Sequence, residues 1–131
     1  MNEIKVMIIG YIILLVIDNI YLYLNRDFYK DILDKTQEIN IIAALISWMV
    51  IIISINLLVL SRNDINEKNA LIYGAYLGFS MYGVYNLTNY ATYPNKWNMK
   101  ILIGDTAWGT LITSMMSYIL YKIMEKNEIK I

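Results

Sequence analysis

Four apolar stretches, each long enough to cross a lipid bilayer, take up most of this 131-residue chain. A membrane-spanning helix needs about 20 consecutive, mainly apolar residues. Ile4–Leu24, Ile39–Leu60, Ala70–Tyr93 and Met99–Lys122 meet that condition. In hydrocarbon every backbone polar group must be satisfied internally, by a helix or a closed barrel. The period-two alternation of barrel strands is absent, so the segments read as helices. The expected fold is an all-α integral membrane protein: a four-transmembrane-helix bundle, multi-pass, with residues 1–131 as one membrane domain. The first segment reads as a retained span, because it is long, weakly basic in front and lacks a small-x-small cleavage site.

Composition narrows the function classes. Hydrophobic residues make up 58% of the chain and charged ones 17%, and the mean hydropathy of +0.45 exceeds that of a soluble domain. Eleven basic residues balance eleven acidic ones, which removes the electrostatic case for nucleic acid as a partner. There is no cysteine and no histidine. Disulfides, thiol chemistry, imidazole acid–base work and the usual zinc or haem ligation are thereby excluded. No cofactor, metal site or catalytic residue is expected, and an enzyme is the less favoured class. The lipid bilayer is the one partner that composition demands.

The connectors carry most of the charge. In NRDFYKDILDKTQE, Asn25–Glu38, the residues Phe28, Tyr29, Ile32 and Leu33 share one side of a short helix and the charges take the other. That pattern predicts an interfacial helix lying flat on the membrane between spans one and two. SRNDINEKN, Ser61–Asn69, is a polar connector, and YPNKWN, Tyr93–Asn98, is a tight hairpin. Tyrosines and tryptophans such as Tyr21, Tyr90 and Trp97 gather near the span ends, where aromatic belts belong. Six basic residues fall on the side of the termini and five on the other. This small excess places both termini in the cytoplasm by the positive-inside rule.

An ionisable residue inside a span is costly, and so is a functional candidate. Away from the edges there are two, Asp18 and Asp105. Asp18 lies six residues before Leu24, and Asp105 six after Met99. At a rise of 1.5 Å per residue both lie about 9 Å below the same face. Asn86 lies about 11 Å below it, Asn89 one turn shallower, and Ser47 at similar depth. Thr88 lies between the two asparagines, and Trp108 shares a helix face with Asp105. No Lys or Arg reaches this depth. The two aspartates are therefore expected to share a proton, to bind a cation, or to accept from Asn and Trp donors. Gly74 and Gly78 are spaced for close helix approach, within the chain or in an oligomer.

YNLTNYATYPNKW, Tyr85–Trp97, followed by ILIGDTAWGTLITSMMSY, Ile101–Tyr118, resembles the small membrane proteins grouped as domain of unknown function 2177. Their pattern is Tyr-Asp-Leu-Thr-Asn-x-Ala-Thr, a short loop with a tryptophan, then Asp-x-x-Trp-Gly-Thr. Thr88, Asn89, Ala91, Thr92, Asp105, Trp108, Gly109 and Thr110 match it, while Asn86 stands where the pattern has Asp. The resemblance implies a four-span membrane protein and carries no assigned activity. Three functions remain open. The polar layer can handle a proton, a cation or a small molecule; it can bind or modify a lipid; or it can be interhelical glue in a structural component of a cellular or viral membrane.

Overall fold

The computed structural model of the chain describes residues 2–30, 32 and 38–129. These form helix α1 (Glu3–Leu24), a single turn α2 (Arg26–Tyr29), α3 (Ile41–Ile55) continuing into a π-helical turn at Asn56–Leu60, α4 (Glu67–Thr92) and α5 (Met99–Lys126). There is no strand among the described residues. The four long helices begin and end within a turn of the four apolar segments. Each starts at an asparagine whose side-chain oxygen accepts from the backbone N–H three residues on: Asn2, Asn40, Asn66 and Asn98. Such a cap satisfies one of the four N–H groups that a helix start leaves unpaired.

Helix direction follows from which residues meet. A Cβ on Gly74 would touch Ser117, and one on Gly78 would touch Gly109 and Thr113, so α4 and α5 run antiparallel. Gly10 faces Leu120, while Asp18 bonds to Trp108, so α1 and α5 are antiparallel too. Asp18 also bonds to Trp48, and Glu3 to Asn56, which sets α1 against α3. The α4–α5 pairing is the most extensive contact. It depends on the glycines: at Gly109 a Cβ would lie 1.9 Å from the Tyr82 ring. Gly74 and Gly78 are thus used within the chain and do not form an open face.

The helices are apolar on their outer faces as well as inside. On α1 the buried positions Val6, Gly10, Leu14 and Asp18 recur at every fourth residue. Two residues out of step, Ile4, Ile8, Ile12, Val16 and Ile20 are all exposed. On α3, Ile42, Leu45, Ile46, Met49, Val50 and Ile53 point outward as well. Meanwhile Asp18, Asn56, Asn86, Thr113 and Ser117 are buried. A helix that is apolar all round, with its polar groups inside, is stable where the solvent is hydrocarbon. By length and apolarity together, α1 and Ile41–Leu60 qualify as candidate membrane spans among the described residues. α4 and α5 are longer but carry more polar side chains.

Of the connector after α1, for which the pattern predicts a flat interfacial helix, residues 31 and 33–37 lie outside the described residues. The described part holds one helical turn, in which Phe28 and Tyr29 turn inward. The Phe28 ring packs over Gly104 of α5, and Tyr29 is buried beside Trp97 and Ile101. The bare Gly104 backbone leaves room for the phenyl ring, so apolar burial outweighs exposure at the surface. Leu33 lies outside the described residues.

Candidate functional site

All three tryptophans of the chain donate into one polar layer. Asp18 on α1 accepts from Trp108 Nε1 at Oδ1 and from Trp48 Nε1 at Oδ2, both at 2.8 Å. Asp105 on α5 accepts from the Tyr29 hydroxyl at Oδ1 and from Asn86 Nδ2 at Oδ2, again both at 2.8 Å. Asn86 in turn accepts from Trp97 Nε1 at 2.8 Å and also donates to the Tyr82 carbonyl of its own helix. The two halves meet at Tyr21. Its ring stacks on Trp108 at 3.8 Å, nearly parallel, and its hydroxyl lies 3.3 Å from that of Tyr29. Burial, reinforced by the contacts with Tyr21 and Asp105, pushes the Tyr29 phenol far above its ordinary range, which keeps it a donor.

The Asn and Trp donors expected from sequence are in place, joined by a Tyr hydroxyl. Each aspartate takes two neutral donors of its own, and no hydrogen bond joins Asp18 to Asp105 among the described residues.

The predicted residues do not all converge. Asp18, Asn86, Asp105 and Trp108 come together. Thr88 is exposed, and its backbone carbonyl accepts from Thr92. Asn89 is half-buried and returns its amide to the Tyr85 carbonyl. Ser47 bonds to the Ala44 carbonyl of its own helix. Conversely Tyr21, Tyr29 and Trp97 belong to the network, although their positions read as interfacial, and so does Trp48 from within the second span. The missing signal was a count: three indoles and two carboxylates near one depth, with no basic residue to pair them.

The aspartates differ in access. Asp18 is 8% exposed, with both oxygens capped by indoles. Asp105 is half-buried and lines a cleft of about 410 Å³ together with Leu22, Tyr29, Ile32, Ile39, Tyr85 and Trp97. A carboxylate has room for about four hydrogen bonds. Asp105 therefore keeps acceptor capacity towards the cleft.

Apolar helices facing outward around a buried polar layer define a helical membrane protein. The model of the family described as predicted membrane protein, DUF2177, matches residues 3–122, and the chain belongs to that family. No curated protein and no solved structure matches it.

Proposed function

We propose that α1, α3, α4 and α5 are four membrane spans with both termini in the cytoplasm. Asp105 is the acceptor of a small-molecule site at one face, for a ligand that brings a cation or an N–H or O–H donor. The alternating helix directions support four spans, as do the outward Phe79, Val84, Leu87, Ile103, Leu111 and Met115 of α4 and α5. The observation that carries the site is a difference in access: both aspartates accept at both oxygens, but Asp18 is buried while Asp105 is half-buried and lines a cleft. A bare hard cation fits less well, since it wants six or more oxygens, and the acceptors here already hold N–H and O–H groups.

The test is equilibrium binding of butylammonium to the protein in lipid nanodiscs, with empty nanodiscs as the blank. Saturable binding is expected for the wild type, weakened at least tenfold in Asp105→Asn. Equal binding by the two, or none by either, removes Asp105 from the role. A second reading, proton transfer, is favoured by the hydroxyl chain from Tyr21 through Tyr29 to Asp105. It requires proton flux in proteoliposomes that Tyr29→Phe abolishes.

A further inference from the structure

A second cavity adjoins the cleft at Asp105. Tyr85 borders both, and the second, of about 490 Å³, is lined by Ser47, Val50 and Ile51 of α3 and by Met81 and Tyr82 of α4. The Tyr85 ring stands edge-on to Trp97, with centroids 5.5 Å apart, and separates the two spaces. Both volumes fall in the range of ligand pockets. The second lies on the outer side of the helices: Ser47, Val50 and Tyr85 are exposed. It exists because α3 itself barely touches α4; the contact between the two is made at the far end, by the π-helical turn Asn56–Leu60. The two helices are joined at one end and leave a slot open to the side at the other.

We infer that the ligand of the Asp105 site enters sideways from the bilayer through this slot and is a single-chain amphiphile with an ammonium head. The inference rests on the reading of Asp105 as acceptor and names its ligand class. The head lies at Asp105, and the chain runs past Tyr85 into the space between α3 and α4. Two features select this chemistry. Apart from Asp105, the walls of both cavities are aliphatic or aromatic side chains, with Ser47 the one small hydroxyl, which suits a hydrocarbon tail. Asp105 is the only charged residue among the described residues of these walls, so a cationic head is matched and an anionic one is repelled. A slot bounded by one helix on each side admits one chain.

Binding of dodecylammonium, butylammonium, dodecanol and dodecanoate is compared in nanodiscs against empty nanodiscs. Dodecylammonium is expected to bind at least tenfold more tightly than the other three. Ser47→Phe, which fills the slot from an exposed position, should remove that advantage and leave butylammonium binding unchanged. Val50→Trp, another exposed position, serves as a second block. Dodecylammonium and butylammonium binding alike, both insensitive to the blocks, would overturn sideways entry while leaving the Asp105 site in place. Preference for dodecanoate would overturn the ammonium head. No saturable binding by any of the four overturns the inference and the site together.

Discussion

An indole N–H can donate a hydrogen bond but cannot accept one, and that asymmetry separates the two aspartates. In Asp18→Asn the new amide turns its oxygen to one tryptophan and its NH₂ to the other, so one indole is left facing a donor. A buried unsatisfied donor costs about 1–3 kcal/mol. In Asp105→Asn the chain of bonds can reverse. The new oxygen accepts from Asn86, the new NH₂ donates to Tyr29, and Tyr29 turns its proton to Tyr21. Every group stays satisfied, at a cost below about 1 kcal/mol. Thermal unfolding in detergent is therefore expected to show a clear fall in Tm for Asp18→Asn and little change for Asp105→Asn. Equal losses would mean that Asp105 is as much a structural fixture as Asp18.

Among the elements, the α4–α5 pair shows how far sequence carries and where it stops. The glycine spacing of Gly74 and Gly78 identifies a close helix contact, but spacing cannot say which helix approaches. The structure supplies α5, with Ser117, Thr113 and Gly109 opposite. Gly109→Ala and Gly78→Ala are expected to destabilise by about 1–3 kcal/mol, because backbone or a buried ring must move. Gly83→Ala is the control, since its Cβ would meet nothing closer than Thr106 at 3.9 Å. Chemical denaturation of the three variants checks the ranking, and a loss in Gly83→Ala as large as in Gly109→Ala would contradict it. The four helices were legible because apolar runs of that length have few other solutions. The common level of Asp18, Asn86 and Asp105 was legible because helical rise is fixed. The partners were not: Tyr29 sits in a charge-rich connector and reads as surface. Its inward turn depends on the space over Gly104, which only the packed helices reveal.

At the scale of the whole molecule, the two ends are built differently. One carries the aspartate layer and its cleft. The other is tied by Asn56 to Glu3 at 2.6 Å and by Lys122 to Glu67 at 2.7 Å. Between them lie Leu14, Ile52, Ile55, Ile112 and Met116, all fully buried and apolar. The proposed Asp105 site at one face, above a mainly apolar core that also holds Thr113 and Ser117, would suit a protein that takes a ligand from the bilayer or from that face rather than an open pore. This arrangement requires α4 and α5 to cross the membrane with α1 and α3, although their polar content is higher. With no native cysteine, single-cysteine labelling by a membrane-impermeant maleimide is a direct measurement of that. Asn63→Cys in the α3–α4 connector and Asn95→Cys in the α4–α5 connector are both exposed. They should label from opposite sides of the membrane, and Ile12→Cys on the outer stripe of α1 should not label at all. If α4 and α5 instead formed a hairpin outside the bilayer, Asn63→Cys and Asn95→Cys would label from the same side. The Asp105 cleft would then face water along its length, and the slot between α3 and α4 would lose its lipid supply.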